Sequence, residues 1–297
     1  MNIYFDNAAT TQLDKRVLDE MIPFMVENYG NPSSIHKHGR EVKASVENSR
    51  NKIADILGVT PGEIFFTSGG TEADNTFIIN AIYSRKIKTA ITSKIEHHAV
   101  LHTLEDLEQK NVIKILYVNI DSNGHIDYNH LEELISSHPK SLISLMHGNN
   151  EIGNITDIER VAQICNTNDS VFHSDTVQTI GHFNMNLSSN IIHSIVGSAH
   201  KFHGPKGIGF MYINNKIKIP PYIIGGSQER NMRGGTENVS GIIGLSKAFE
   251  ITIEEKIKTK KHIENLKFNM IEMLKRNIKN LMFNGDCDNS KKSLFHV

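Results

Sequence analysis

A lysine that follows a predicted buried strand is the first residue whose position suggests chemistry. The apolar run 191–196 predicts the strand, and Ser198, His200 and Lys201 follow directly after it. Ligands usually bind outside the carboxyl ends of strands in α/β proteins. Burial there lowers the pKa of a lysine, and the neutral amine can form a Schiff base with a carbonyl compound. The alternative interpretation is a solvent-exposed lysine in a Gly-Pro turn.

A glycine-rich turn precedes one of the predicted helices. Gly69 and Gly70 let backbone N–H groups approach a ligand, and the N-terminus of the helix favours an anion. We expect Thr71 either to cap the helix or to donate its hydroxyl to a phosphate. The turn lacks the lysine of a P-loop and the spacing of a dinucleotide fingerprint, so an ordinary strand–helix turn is the alternative.

Polar side chains also follow three other predicted strands. The imidazole of His97 can stack on a planar cofactor, and Asn150 lies in a run of amides after another strand. Asp175 follows a third strand, where a carboxylate can hold a charged ring nitrogen, and Gln178 can donate a side-chain hydrogen bond. Each of these segments alone is also typical of a turn with a helix N-cap.

The composition of the chain excludes several classes of protein. A net charge of -1 over 297 residues argues against binding to nucleic acid or to a membrane surface. Cys165 and Cys287 provide no disulfide framework, which indicates a reducing compartment. We find no signal peptide or membrane-spanning run and therefore expect a cytoplasmic protein. His98 and His102 are four residues apart, but no third ligand is evident, so we predict no metal site.

Strands and helices alternate through most of the sequence, which indicates a largely parallel sheet covered on both faces. The predicted strands are residues 64–67, 89–92, 113–118, 142–146, 171–173, 191–196 and 208–213. The predicted helices are residues 17–25, 42–57, 71–84, 98–109, 127–136 and 155–167. Residues 236–280 show long helical periodicity, and residues 281–285 and 293–297 are predicted strands of a second unit.

Taken together, these segments resemble the cysteine desulfurases, which are class V, fold-type I enzymes dependent on pyridoxal 5'-phosphate. The motifs that carry the resemblance are Asp6-Asn7-Ala8-Ala9-Thr10-Thr11, Gly30-Asn31-Pro32-Ser33-Ser34, Thr67-Ser68-Gly69-Gly70-Thr71-Glu72, Glu96-His97, His147-Gly148-Asn149-Asn150-Glu151-Ile152-Gly153, Asp175-Thr176-Val177-Gln178, Ser198-Ala199-His200-Lys201, Gly204-Pro205-Lys206-Gly207 and Arg233-Gly234-Gly235-Thr236. The resemblance implies a mostly parallel seven-stranded sheet with helices on both faces, plus an incomplete small α+β domain. Residues 13–245 would form the large cofactor-binding domain, and residues 1–12 and 246–297 the partial small domain.

The resemblance also implies a role for each candidate residue. Lys201 would hold the cofactor and move protons, and His97 would stack on the ring, so these two are the catalytic residues. Asp175 would pair with the pyridinium nitrogen, Gln178 would bond the phenolic oxygen, and Asn150 would help to fix ring and substrate. The residues expected to hold the phosphate are Gly70, Thr71, Ser198, His200 and, from the neighbouring subunit, Thr236. A homodimer with shared active sites follows.

The resemblance stops short of the sulfur-transfer step. In the family a thiolate on a C-terminal loop takes the sulfur, and a C-terminal arginine grips the substrate carboxylate; both motifs would lie beyond Val297. Cys165 falls on the apolar stripe of a helix and is expected to be buried, whereas Cys287 lies in a turn and is expected to be exposed. Because Cys287 precedes the family's loop, we expect a truncated sequence that lacks the nucleophile.

Three functions therefore stay open. The first is a cysteine desulfurase that converts L-cysteine to L-alanine and passes sulfur through a persulfide to an acceptor protein, for iron–sulfur clusters or thio-cofactors. The second is a fragment that binds the cofactor or dimerises without catalysis. The third is a thiol-independent class V aminotransferase or lyase, which would need Arg230 or Arg233 to bind the substrate carboxylate. Without the resemblance, both arginines would be interpreted as solvated charges.

Overall fold

The centre of the molecule is a seven-stranded sheet. The computed structural model describes residues 3–185, 187, 189, 191–287, 293 and 294. The strands are β1 (Ile64–Thr67), β2 (Thr89–Thr92), β3 (Lys114–Tyr117), β4 (Leu142–Ser144), β5 (Val171–Asp175), β6 (Ser194–Ser198) and β7 (Gly209–Ile213). They lie in the order β1-β7-β6-β5-β4-β2-β3, and among these strands only β7 runs antiparallel to its neighbours. The predicted mostly parallel, seven-stranded α/β sheet is confirmed.

Helices connect the strands and cover both faces of the sheet. They are α1 (Lys15–Val26), α2 (Lys37–Leu57), α3 (Gly70–Arg85), α4 (His98–Gln109), α5 (Tyr128–Ser137), α6 (Ile158–Asn166), the short turn α7 (Gln228–Asn231) and α8 (Val239–Asn277), with 3₁₀ turns at Pro61–Glu63 and Ala199–Lys201. Helix α2 ends where the sequence predicts, because Gly58 adopts the left-handed conformation (φ 67°) and its N–H reaches back to the last turn.

Alternation along the strands explains why helices pack on both faces. In β5, Val171 and Phe172 point to opposite sides and belong to two separate apolar cores. The core that contains Phe172 is completed by α1, α2, α5, α6 and α8, for example through Phe249. The core that contains Val171 is completed by α3 and α4, for example through Phe77. Burial on both faces gives the strands their continuous apolar runs.

Two helices begin later in the sequence than the periodicity predicts, because side chains cap them there. The predicted helix 155–167 begins at Ile158, because Asp157 caps it by accepting from Arg160 N at 3.0 Å, while Ile155 pairs with Gly148 in a β-bridge. Likewise α8 begins at Val239, after Asn238 Oδ1 accepts from Gly241 N at 3.1 Å. From there α8 is one continuous helix of 39 residues.

The predicted strand at residues 281–285 is wrong. Its last residue, Gly285, is left-handed (φ 63°), and the following Asp286 N donates to Asn154 Oδ1 at 2.8 Å, so the chain turns there. Ser293 forms an isolated bridge with Asn154, and residues 295–297 of the other predicted strand lie outside the described residues. The division between the two domains stays a prediction. No helix in the described part of the chain combines the length and apolarity that crossing a membrane requires.

Candidate active site

Lys201 ends the 3₁₀ turn that follows β6. Its half-buried ammonium donates to the carbonyl oxygens of Ala8 and of Ala9, the latter at 3.1 Å, so the N-terminal segment lies over it. Burial lowers the pKa of Lys201, and the nearby carboxylates of Asp175 and Asp6 act in the opposite direction. The sequence places the lysine correctly at this edge of the sheet, one helical turn beyond the strand end.

Asp175 is the last residue of β5 and is buried. Its Oδ1 accepts from Val177 N at 2.9 Å. Burial raises the pKa of Asp175, while the hydrogen bond from Val177 and the nearby His97 and Lys201 counteract that shift. These opposing effects show that the fold brings Asp175, His97 and Lys201 within electrostatic reach of one another, although they come from three separate segments.

His97 is the N-cap of α4 and is exposed. Its Nδ1 accepts from Ala99 N at 3.1 Å, which fixes the ring's orientation and leaves the proton on Nε2 in the neutral form. The imidazole is thus held by the helix end and is exposed there.

The turn between β1 and α3 has the construction of an anion site. Helix α3 begins at Gly70, and Gly69 (φ 155°) stands at the N-cap, so the first-turn N–H groups have no intrahelical acceptor. A Cβ on Gly70 would lie 2.7 Å from Val177 Cγ2, so only glycine permits this close approach. Ser198 at the end of β6 is buried beside it. Thr71 is exposed in the first turn and does not cap the helix, which corrects one of its two expected roles.

Two further predicted residues are fixed by the N-terminal segment. Gln178 Nε2 donates to Ala8 O at 2.9 Å, and His200 Nδ1 lies 3.2 Å from Thr10 Oγ1. The sequence alone assigns no function to the motif at residues 6–11. The structure shows that it contacts three of the predicted site residues.

The remaining predicted residues lie at the margin of the site. Asn150 is half-buried and donates to Glu151 Oε1 at 2.8 Å. Thr236 is exposed and lines, with Ser68 and Arg233, a cavity of about 110 Å³ beside the glycine turn. Its contact with a neighbouring subunit stays a prediction.

Both loop arginines are paired with carboxylates, Arg233 half-buried and Arg230 at an exposed position. Arg233 Nε donates to Glu72 Oε1 at 2.5 Å, and Arg230 contacts Glu47 Oε2 at 3.1 Å and Pro61 O at 2.7 Å. Sequence reasoning missed both pairs because the partners are more than 160 residues apart. A substrate carboxylate site at either arginine stays a prediction.

Behind the site lies a buried group of ionisable residues that the sequence interpretation did not use. Asp74 Oδ1 lies 3.3 Å from His173 Nε2, although the two atoms are not aligned for a hydrogen bond. His173 Nδ1 lies 2.9 Å from Ser144 Oγ. Glu96 Oε1 accepts from Ser93 Oγ and Met146 N, both at 3.0 Å. Glu96 directly precedes His97, which was the only available signal.

Both cysteines of the sequence are buried. Cys165 lies on the buried face of α6, as predicted, and burial raises the pKa of its thiol above the usual range. Cys287 is also buried, so its predicted exposure is wrong. The turn that contains it is fixed by a hydrogen bond from Asp286 N to Asn154 Oδ1. The amino-acid composition of the turn does not indicate this long-range contact.

The site's donor set fits pyridoxal 5'-phosphate. A partly desolvated amine, a buried carboxylate and a glycine-lined helix N-terminus are the groups needed for its aldehyde, its ring nitrogen and its phosphate, respectively. Gly70 packs so closely against Val177 that any side chain at this position would collide with it. In the described part of the chain, no cluster of three metal-ligating side chains is present.

Comparison with known proteins agrees with this geometry. The class-V aminotransferase family matches residues 3–297. The chain is 44% identical over 289 residues to cysteine desulfurase IscS of Dictyoglomus turgidum and 40% identical over 292 residues to that of Clostridium botulinum, covering 97% and 98% of this chain and 73% of each relative. Among solved structures, a NifS-like protein matches with a TM-score of 0.93 and 41% identity, covering 99% of this chain and 80% of that one. A structure described as SspA in complex with cysteine matches with a TM-score of 0.80 and 35% identity over 84% of this chain and 72% of that one. The chain therefore belongs to the class V aminotransferase family and, within it, to the cysteine desulfurases, which are pyridoxal-phosphate-dependent enzymes.

Proposed function

We propose that this chain binds pyridoxal 5'-phosphate between Lys201, Asp175 and the N-terminus of α3, and uses it to act on L-cysteine. The observation that carries the proposal is the half-buried Lys201 amine, with its lowered pKa, in electrostatic reach of the buried Asp175. The bound cofactor supplies an electron-withdrawing ring that weakens the bonds at the amino acid's Cα. Residues of the chain bind and orient the cofactor and the substrate and move protons.

The site residues divide this work by position. Asp175 holds a proton on the ring nitrogen, because a buried carboxylate there favours the protonated form. Gln178 bonds the phenolic oxygen, His97 covers the ring and Asn150 helps to position ring and substrate. The phosphate is held by Gly70, Thr71, Ser198 and His200, and by Thr236 of a second copy in a homodimer.

Lys201 is the residue that moves protons. Its ammonium is bound by the carbonyls of Ala8 and Ala9, and burial makes loss of its proton easier than in water. Lys201 would hold the cofactor through its neutral amine, and once the substrate is bound, the freed amine could carry a proton to or from the substrate's Cα.

L-cysteine as substrate, with L-alanine as product, is supported by family membership and by the relative described with bound cysteine. Neither thiol of this sequence can take the sulfur in the described conformation, because both are buried. We therefore propose that the accepting thiolate is not Cys165 or Cys287, and that the sulfur passes to an acceptor protein. The use of two cysteines without a disulfide framework supports a cytoplasmic location.

Cofactor binding is tested by the visible absorbance of the purified protein with added pyridoxal 5'-phosphate. The wild type is expected to show the band of lysine-bound cofactor, and the Lys201→Ala variant is expected to lose it. Lys206→Ala is the matched control, since Lys206 is exposed and lies nearby in the same loop. A wild type without the band, or a Lys201→Ala variant that keeps it, overturns the proposal.

Substrate and sulfur transfer are tested with the holoenzyme, L-cysteine and an added small thiol. L-alanine formation is expected with L-cysteine and not with L-serine, at rates unchanged in the Cys165→Ser and Cys287→Ser variants. No L-alanine would favour the fragment that binds cofactor without catalysis. Loss of turnover in Cys287→Ser alone would show that this thiol becomes exposed and accepts sulfur.

A further inference from the structure

An ion pair joins a distant loop to the glycine turn of the site. Glu72 lies in the first turn of α3, where its Oε1 accepts from Arg233 Nε at 2.5 Å and its Oε2 from Arg233 Nη2 at 3.1 Å. The same Oε2 accepts from Ser68 N at 3.0 Å, so the carboxylate also fixes the backbone of the turn. Burial alone would raise the pKa of Glu72, but the bonds from Arg233 and Ser68 lower it overall, and the group is an anion.

An anion at this place has an electrostatic consequence for the site. A carboxylate in the first turn of a helix uses the same positive N-terminal field that would attract a phosphate. Unneutralised, Glu72 would repel a second, doubly charged anion at the same helix end. The guanidinium of Arg233, bonded to both carboxylate oxygens, cancels that charge.

The position of Arg233 is fixed by a second, fully buried ion pair. Glu229 accepts from Arg50 Nη1 and Nη2, both at 2.8 Å, and from Phe66 N in β1 at 2.8 Å. The backbone of the loop is left-handed at Glu229, Arg230 and Asn231, a conformation that ordinary residues adopt only when their surroundings hold them. The Arg50–Glu229 pair supplies that hold, four residues before Arg233.

We propose that Arg233 is a positioning residue for the phosphate of the cofactor: it neutralises Glu72 so that the N-terminus of α3 stays attractive to a dianion. The inference deepens and rests on the proposed function, because it presupposes that pyridoxal 5'-phosphate binds at this helix end. It assigns no contact between Arg233 and the cofactor. Its distinctive consequence is that the two partners of one ion pair affect cofactor binding with opposite sign.

The test measures affinities for pyridoxal 5'-phosphate and for pyridoxal, which lacks the phosphate, from the absorbance of the lysine-bound form. Arg233→Gln is expected to bind pyridoxal 5'-phosphate about tenfold more weakly, with pyridoxal affected less than about twofold. Arg230→Gln is the matched control, because it removes the same charge from the same loop without touching Glu72. It is expected to bind both compounds like the wild type.

Glu72→Gln and the double variant distinguish charge neutralisation from a merely structural role. Glu72→Gln keeps an acceptor for Ser68 N and is expected to bind pyridoxal 5'-phosphate at least as tightly as the wild type. Adding Glu72→Gln to Arg233→Gln is expected to restore most of the lost affinity. The inference is overturned if both single variants bind pyridoxal 5'-phosphate more weakly, if the double variant does not regain affinity, or if pyridoxal loses as much affinity as pyridoxal 5'-phosphate does. In each of these cases the wild type still binds the cofactor, so the proposed function is unaffected. A wild type that binds neither compound overturns the proposed function and this inference with it.

Discussion

Two buried groups of ionisable side chains differ in their hydrogen bonding. In the first, Arg50 and Glu229 are 2% and 3% exposed, and both carboxylate oxygens of Glu229 accept hydrogen bonds. In the second, Asp74, Glu96 and His173 are equally buried. Within the described residues, Asp74 Oδ1, Glu96 Oε2 and His173 Nε2 have no hydrogen-bond partner.

The difference decides which groups carry charge. Arg50 and Glu229 form a buried ion pair in which hydrogen bonds satisfy both side chains. Burial raises the pKa of Glu96 to about 8 and that of Asp74 well above its usual value, and it lowers the pKa of His173 to about 3. At pH 7, Glu96 is therefore mainly protonated and His173 is uncharged. Asp175 differs from these two carboxyl groups because His97 and Lys201 oppose its shift.

Breaking the charged group gives the largest expected effect. Arg50→Met leaves Glu229 buried without its cation and should lower the free energy of unfolding by about 3–5 kcal/mol. Urea unfolding followed by circular dichroism measures this change. The double variant with Glu229→Gln removes the stranded charge and is expected to recover part of the loss. A cost of less than about 1 kcal/mol for Arg50→Met would mean that the variant does not leave an uncompensated buried charge at Glu229.

Protonation of Glu96 predicts a pH dependence. The pKa of Glu96 is about 8 in the folded state against 4.5 when unfolded, so the folded state binds the extra proton between those values. Stability contributed by Glu96 is therefore complete below pH 4.5 and is lost as the pH rises towards 8, by up to about 1.4 kcal/mol per pH unit.

Unfolding free energies at several values of pH between 5 and 8 check this slope. Glu96→Gln stays neutral throughout, so its stability relative to the wild type should improve as the pH rises. Glu133→Gln, at an exposed site on α5, is the control and should run parallel to the wild type. If the unfolding free energy of Glu96→Gln also varied with pH in parallel with that of the wild type, the raised pKa of Glu96 would be contradicted.

Much of the site could be predicted because its residues follow strand ends. Lys201, Asp175 and Gly70 lie at the edge of the sheet. The alternation of strand-like and helix-like hydrophobic patterns along the sequence predicts this position. Local signals of this kind depend on neighbours in sequence, which is why the predicted order of the seven strands and of the helices between β1 and β5 is confirmed. The paired roles of Glu72 and Arg233 depend on a contact across 161 residues, and no periodicity encodes such a contact.

The errors have the same origin. Cys287 was expected in an exposed turn, but the chain there is held by Asn154 Oδ1, more than a hundred residues earlier. Thr71 has the residue type of an N-cap, yet Gly70 packs closely against Val177 and the N-cap is Gly69, two residues before Thr71. In both cases tertiary packing overrode a correct local preference.

The smallest expected effect comes from the exposed partner of the same arginine. Glu47 is 39% exposed and lies 3.3 Å from Arg50 Nη2, while Glu229 bonds that guanidinium from the buried side. Water screens the Glu47 contact, so Glu47→Gln should cost less than about 1 kcal/mol of unfolding free energy, and the cost should shrink as salt is added. Urea unfolding at low and high ionic strength measures both. A loss of unfolding free energy close to that of Arg50→Met, or a loss insensitive to salt, would contradict this prediction. It would show that the different burial of Glu47 and Glu229 does not determine how much each contributes to stability.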